Sequence, residues 1–192
     1  MIKRYIYITT IFLFTFLSCK SQNVVILESL NRELTKIINK DNDINKFNKD
    51  DIEVKQKALS DIIELRKEFF SKVNLKKTGF KLIETSRLNK SYTGIIFLDN
   101  SDVFVFSKKE EESTFEQTNL NDYTTNNPND INLYVFKKLN AKKLDELITI
   151  SKKAKNHHGE TLIVTTSEKG KVTSNIMNTF FIQDDQGKLI YW

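Results

Sequence analysis

The sequence predicts an α+β fold, in which an N-terminal helical hairpin and a third helix pack on an antiparallel sheet. Apolar side chains recur every three or four positions across residues 24–73, which is typical of amphipathic helices. From Gly79 onward the period shifts towards two, which is typical of strands joined by turns. A single domain with helices against a sheet is the economical interpretation of this grouping.

Two apolar stripes predict the helical hairpin. A first helix over Val24–Lys40 places a set of aliphatic residues on one face: Leu27, Leu30, Leu34, Ile37 and Ile38. Residues 41–49 are polar and predict a loop. A second helix from Asp50 to Val73 opens with Asp50 and Glu53 in the spacing of a capping box. Helices joined by a short loop usually pack antiparallel, so each would cover the other's apolar face.

The middle of the chain predicts a hairpin followed by a loop. Three segments have the pattern of strands: Phe80–Thr85, Tyr92–Leu98 and Val103–Ser107. The last two flank a polar turn at residues 99–102. Residues 108–130 are polar and contain the single proline, Pro128, so they predict a long loop of the kind that is functional or mobile. The apolar run Ile131–Phe136 predicts another strand.

A third helix and three further strands complete the predicted domain. Asn140 is a suitable N-cap, with Leu139 and Leu144 placed as a hydrophobic staple, and Gly159 is a suitable stop. The closing strands are predicted at Thr161–Thr165, Val172–Ile182 and Lys188–Trp192.

Composition excludes several classes of protein. The chain has 192 residues, and with 39% hydrophobic residues, 14 Phe and 6 Tyr it can build a core. It has five Gly, one Pro and one Cys, too few for a collagen-like protein, a disulfide-stapled scaffold or a Gly-rich phosphate loop. The formal net charge of +5 is mild.

The N-terminus predicts export. Lys3 and Arg4 precede an apolar run, Tyr5–Leu17, after which polarity returns at Ser18. A positive start followed by about a dozen apolar residues is typical of a secretory signal peptide. The run is shorter than the roughly 20 residues that a permanent transmembrane helix needs.

The single cysteine lies where this apolar run ends, in the order Phe16-Leu17-Ser18-Cys19. Residues 1–22 therefore resemble a bacterial lipoprotein precursor with a relaxed lipobox. The resemblance implies that Cys19 is acylated and that cleavage falls between Ser18 and Cys19, so that removing 18 residues from 192 leaves a mature chain of 174. The alternative is an ordinary signal peptide with a chance cysteine.

The resemblance also implies a location in the cell envelope. Lys20 follows the cysteine, whereas an Asp there is associated with retention at the inner membrane, so we expect the outer membrane and its periplasmic leaflet. The chain then divides into a signal peptide (1–18), a lipidated tether (19–24) and one α+β domain (25–192). A tether of six residues spans about 20 Å at most, so the domain is expected to lie close to the membrane.

No catalytic, metal or cofactor site is predicted. His157, His158 and Glu160 form the one cluster that resembles metal ligands, but adjacent helical residues point about 100° apart, and a solvated helix end explains them better. The pair Asp184 and Asp185 has the sequence context of a turn. Nucleophile motifs are absent from the sequence, and acylation would use the thiol of the single cysteine. A hydrolase that uses carboxylates alone is the enzymatic alternative.

Basic residues gather around the predicted third helix. Those assigned to a candidate membrane-surface face are Lys142, Lys143, Lys152, Lys153 and Lys155. Attraction to anionic headgroups is one interpretation, and an ordinary solvated lysine-rich face is the other. Nucleic acid is not an expected partner of an exported lipoprotein.

The sequence thus predicts a membrane-anchored lipoprotein that acts by binding another envelope protein and has no enzymatic activity. An immunity-type protein and an envelope-assembly factor are two versions of this hypothesis, with the segment 108–130 as the candidate contact. The alternative is a carrier that holds a lipid or another apolar ligand between helices and sheet.

Overall fold

A computed structural model describes residues 21–44, 49–73, 75, 79–86, 91–153, 161–180, 182–183, 186 and 188–191. The predicted α+β class is confirmed: helices pack against a six-stranded antiparallel sheet. The helices are α1 (Ser21–Ile44), α2 (Lys49–Lys72), α3 (Leu120–Asn126), α4 (Ile131–Asn140) and α5 (Leu144–Lys153). The strands are β1 (Phe80–Ser86), β2 (Ser91–Leu98), β3 (Asp102–Lys109), β4 (Glu112–Asn119), β5 (Thr161–Glu168), β6 (Lys171–Asn178), β7 (Ile182–Gln183) and β8 (Leu189–Tyr191).

The sheet has the order β4-β3-β2-β1-β5-β6, and every neighbouring pair is antiparallel. The first strand is therefore central, between β2 and β5. Strands β1 to β4 form a meander on one side, and the chain returns through α3, α4 and α5 before β5 and β6 extend the other side. The predicted hairpin around residues 99–102 is confirmed, with Ser101 at a positive φ of 73° in its turn.

Both faces of the sheet are covered, which gives three layers. Successive residues of β1 point to opposite faces, so Leu82 joins one core and Ile83 the other. The first core lies under α1 and α2 and includes Leu30, Leu34, Phe69, Phe80 and Phe106. The second core lies under α3, α4 and α5 and includes Phe97, Tyr123, Phe136, Leu147 and Val164. At roughly 1.5–3 kcal/mol per large buried apolar side chain, these two cores are the main source of stability.

The predicted loop over 108–130 is wrong in most of its length, because these residues form β4 and α3. Strand β4 is an edge strand with mostly exposed side chains, so it shows no alternation of apolar and polar residues. Helix α3 begins where the Asn119 side chain accepts a hydrogen bond from the backbone N–H of Asp122 at 3.0 Å. Its Tyr123 is buried and holds the helix on the second core.

The predicted strand over Ile131–Phe136 is also wrong, since these residues begin α4. The Asp130 carboxylate accepts a hydrogen bond from the Asn132 N–H at 2.8 Å and caps the helix. A short apolar run fits a strand or a buried helix equally well. Here Leu133 and Phe136, three positions apart, are both buried in the second core, as helical spacing requires.

The third predicted helix begins later than expected. Asn140 is the last residue of α4 rather than the cap of the next helix, and Leu139 is buried within α4 instead of forming a staple. The Lys142 N–H bonds to the Leu139 carbonyl at 3.0 Å, and the Lys143 N–H bonds to the Lys138 carbonyl at 2.9 Å. With Lys142 at a φ of +57°, this is a Schellman ending, which separates α4 from α5.

The C-terminal strands differ from the prediction in length: β5 (Thr161–Glu168) runs three residues beyond the predicted Thr161–Thr165, whereas β6 is shorter than predicted. The segment Val172–Ile182 is not one strand: β6 ends at Asn178, and Ile182 belongs to β7, which pairs with β8 in a separate two-stranded sheet. At the end of β6, the Asn178 N–H donates to Ser151 Oγ at 2.8 Å. Helix α5 therefore satisfies a backbone donor at this edge of the sheet.

Candidate functional site

The two edges of the six-stranded sheet differ. Helix α1 packs along β6, and Ser151 of α5 bonds to the last residue of that strand. At the other edge, no strand among the described residues pairs with the outer side of β4. Edge strands are a risk for unwanted pairing, and proteins usually cover or blunt them. Both edges lack a further strand among the described residues, but β6 is contacted by α1 and α5 whereas β4 is exposed along most of its length.

Strand β4 is regular and exposed. It pairs with β3 from Lys109 opposite Glu112 to Asp102 opposite Asn119 without a bulge. Of its eight residues, Phe115 and Thr118 are half-buried and the others are exposed. In an antiparallel pair, alternate residues direct their N–H and C=O groups towards the partner strand. The remaining alternate residues of β4 direct these groups away from β3, where a further strand can bind them.

Side chains on the inner face of β4 attach the exposed strand to the rest of the domain. The Phe115 ring stacks on Phe104 with 6.1 Å between centroids and meets Phe69 edge-on at 6.2 Å. The Lys72 ammonium lies 5.8 Å from the centroid of Phe115. These contacts join β4 to β3 and α2, so the inner face of the strand packs against the first core.

An ion pair at the same end strengthens this attachment. Lys108 Nζ lies 3.3 Å from a carboxylate oxygen of Glu68, which links β3 to α2. Burial alone would raise the pKa of Glu68, but hydrogen bonds from Lys108 and Ser113 outweigh it, and the pKa lies below its usual value. Ser113 belongs to β4, so the carboxylate of Glu68 also holds the start of the exposed strand.

Acidic side chains are concentrated along this edge. Glu110, Glu111 and Glu112 lie at the β3–β4 turn, Glu116 follows within β4, and all four are exposed. The ion pairs found among the described residues include none of them. Because the chain as a whole carries +5, the β4 edge is an acidic region on a basic protein.

A second cluster of polar groups lies inside the first core. The Arg66 guanidinium binds Glu84 in a bidentate manner, with Nε to Oε1 at 2.7 Å and Nη2 to Oε2 at 2.5 Å. Tyr92 Oη donates to the same Oε1 at 2.7 Å. Arg66 and Glu84 are 0% exposed and Tyr92 is 1% exposed. Arg66 Nη1 also donates to the Leu30 carbonyl at 3.2 Å, so the cluster joins both hairpin helices to β1 and β2.

Gly94 makes room for this cluster. It lies opposite Glu84 in the β1–β2 pair. A Cβ atom at this position would lie 2.8 Å from Tyr92 Oη and 2.9 Å from Phe69 Cε1. The absence of a side chain lets the tyrosine hydroxyl reach the carboxylate. The cluster has a structural role, because it links the helices to the sheet and groups buried this completely do not meet a substrate.

The charges of the cluster are mutually stabilised. Burial would lower the pKa of Arg66, but attraction to Glu84 and the hydrogen bond between them outweigh it, and the pKa is raised. Burial, followed by the negative charge of Glu84, raises the pKa of Tyr92 well above its usual value. Arginine therefore stays charged and tyrosine stays neutral, which are the states that the hydrogen bonds require.

Two buried tyrosines are expected to make stability fall at alkaline pH. Burial and then the charge of Asp130 raise the pKa of Tyr123, as burial and Glu84 do for Tyr92. Above pH ~10 an unfolded tyrosine loses its proton while the folded one keeps it. The unfolded state then binds fewer protons, so the stability contributed by each group is complete below pH ~10 and is lost as the pH rises towards the folded pKa.

Above pH ~10 the free energy of unfolding should fall as the pH rises. We expect Tyr92→Phe to reduce the slope of this fall by about 1.4 kcal/mol per pH unit. Urea unfolding of both proteins from about pH 9 to about pH 11 measures it. Only the slopes are compared, because the substitution also removes a hydrogen bond at every pH. Parallel curves for Tyr92→Phe and the parent would contradict the expectation.

The structure places the predicted site residues in different regions. Lys142 and Lys143 are exposed at the turn before α5, whereas Lys152 and Lys153 are exposed in its last turn, about 14 Å away along the helix axis. Glu146 pairs with Lys143 at 3.8 Å. The other predicted residues lie outside the described ones: Ser18, Cys19, Lys155, His157, His158, Glu160, Asp184 and Asp185.

Comparison with protein-family models, with curated proteins and with solved structures finds no match for this chain. Within the described ranges, no three His, Cys, Asp or Glu side chains are grouped so that they could hold a metal ion. The helices in the same ranges include none with the length and apolar character needed to cross a membrane.

Proposed function

We propose that this protein is a lipoprotein of the bacterial envelope, anchored through Cys19, whose α+β domain binds another protein and catalyses no reaction. The observation that carries the proposal is the β4 edge, whose side chains are mostly exposed and with whose outer side no described strand pairs, opposite a β6 strand that α1 and α5 contact. Addition of a strand to an exposed edge is a common way for one protein to bind a segment of another.

The N-terminal end of the domain supports the anchored arrangement. Val24 and Val25, in the first turns of α1, are 52% and 59% exposed. Val24 lies five positions after Cys19 in the sequence, so these apolar side chains lie within about 20 Å of the acylated residue. Apolar groups this close to an anchor favour contact with the membrane interface, which leaves the sheet to bind the partner.

The two helix–sheet interfaces do not favour the carrier hypothesis. Among the described residues they are filled by packed rings, such as Phe69 against Phe106 at 5.3 Å and Phe97 against Phe136 at 4.1 Å between centroids. An apolar ligand held there would have to displace these side chains. The packing of the described residues therefore favours the protein-binding proposal.

Site-specific photo-crosslinking in the intact envelope tests the proposal. A photoreactive amino acid replaces Gln117, which is exposed on β4, and in a matched control it replaces Asp61, which is exposed on α2. We expect a crosslinked protein partner from position 117 and none from position 61. Equal products from both positions, or none from position 117, would count against binding at β4.

A further inference from the structure

The side chains along the β4 edge indicate which segment it binds. We propose that the partner contributes an extended, basic segment that pairs antiparallel with β4 as a seventh strand of the sheet. This inference rests on the proposed protein-binding function and adds the chemistry of the partner. The backbone, the two faces of β4 and the charge of the edge each support it.

The backbone of β4 can pair along its whole length. Its register with β3 has no shift over eight residues, so its outward N–H and C=O groups are regularly spaced. Proline, lysine and β-bulges commonly protect natural edges, and β4 contains none of them. Glutamates are its only charged residues. The edge therefore repels acidic strands and attracts basic ones.

One face of β4 selects for positive charge. Glu112 and Glu116 share this face, because their partners on β3, Lys109 and Val105, also do. Lys109 lies directly across from Glu112, whereas Glu116 has only Val105 across from it. Residues of an added strand opposite the two glutamates would be four positions apart. Lysine or arginine there would form cross-strand pairs with the carboxylates.

The other face of β4 selects for an apolar residue. Phe115 points to this face and is half-buried against Phe104 and Phe69. An added strand would place a side chain opposite Phe115, next in sequence to the one opposite Glu116. The inferred segment therefore has a basic residue, an apolar neighbour, and a second basic residue four positions from the first.

A second copy of the chain is a poor occupant of this edge. Two β4 strands placed side by side would bring together the same acidic set from each copy: Glu110, Glu111, Glu112 and Glu116. Like charges on paired strands are destabilising. The complementary surface belongs to a different protein with a basic strand.

Peptide probes added to the purified, acylated protein in detergent test this chemistry. The probe is a short threonine-rich peptide with two lysines four positions apart and a valine beside one of them, and its twin has glutamates for the lysines. Hydrogen–deuterium exchange reads the outward amides of β4. At millimolar concentration we expect the lysine peptide to bind at least about fivefold more tightly than its twin, with alternate β4 amides protected.

Charge reversal provides the matched control. Glu112→Lys with Glu116→Lys should reverse the preference between the two peptides, whereas Asp61→Lys with Glu168→Lys makes the same charge change at exposed positions away from β4 and should not. Equal protection by both peptides, or none by the lysine peptide, would overturn the inference. So would β4 protection that rises with protein concentration alone, because it would indicate self-pairing. If position 117 still crosslinks to a protein in the envelope, the proposed function survives such a result.

Discussion

Glu84→Ala is expected to lower the free energy of unfolding by about 3–5 kcal/mol. The substitution leaves the Arg66 guanidinium in the first core without its counter-charge, at a position that is 0% exposed. It also removes the acceptor of the Tyr92 hydroxyl. Removing one partner of a buried pair costs more than the pair contributes, because the remaining charge has lost its water as well as its partner. Urea unfolding followed by circular dichroism at neutral pH measures the change.

Three companion variants separate this effect from a general loss of packing. Glu64→Ala, in an exposed pair with Lys67, should cost at most about 0.5 kcal/mol. Glu84→Gln keeps the size of the side chain and should lower the free energy of unfolding less than Glu84→Ala does. It can therefore be measured if the alanine variant does not fold. Arg66→Met combined with Glu84→Leu replaces both charges and should recover most of the loss. A Glu84→Ala effect as small as that of Glu64→Ala would contradict the structural role of the cluster.

The buried cluster could be predicted only in part. Glu84 follows Phe80 and Leu82 in the inward alternation of β1, a pattern that signals a buried carboxylate but was not interpreted as one from the sequence. Arg66 likewise interrupts the apolar stripe between Ile62 and Phe69. The pairing itself depends on how α2 crosses the sheet, and no local pattern specifies that crossing. A polar residue on an apolar face is a signal for a buried polar group. Only the tertiary structure shows which residue pairs with it.

The elements whose type the sequence predicted correctly are those with one buried face, although α1, at Ser21–Ile44, takes in part of the predicted tether (19–24) and of the predicted loop (41–49). Helices α1 and α2 and strands β1, β2 and β3 show the expected period because each packs against a core. Most side chains of β4 are exposed to solvent, so its sequence does not alternate between apolar and polar residues. Helix α4 was too short and too apolar for its period to separate helix from strand.

The exposed β4 edge could not be predicted at all, since strand order is a property of the topology. The first strand in the chain is central, and the fourth is at the edge. All five described helices are engaged, α1 and α2 on one face and α3, α4 and α5 on the other. Helix α1 also packs on β6, and the side chains of β4 remain mostly exposed. Among the described residues, the helices thus cover the two faces of the sheet, and β4 keeps an exposed edge.

Cys19→Ser is expected to abolish lipid attachment completely. The proposed anchor is a thioether to the cysteine sulfur, and a serine hydroxyl does not form that bond. At about 0.8 kcal/mol per buried CH₂, two acyl chains hold a protein on a membrane far more firmly than one, so the change removes the whole of the lipid anchor. Labelling with a clickable fatty acid, followed by intact mass, measures both acylation and processing.

The parent should carry the label on a chain of 174 residues, the length that remains when 18 are removed from 192, and Cys19→Ser should carry none and keep its precursor length. Ser18→Gly preserves a small residue before the cysteine and is the matched control, which should remain labelled and processed. An unlabelled parent, or label retained in Cys19→Ser, would contradict the lipoprotein proposal. Loss of the position-117 crosslink together with the label would further show that the β4 edge meets its partner only when the domain is held at the membrane.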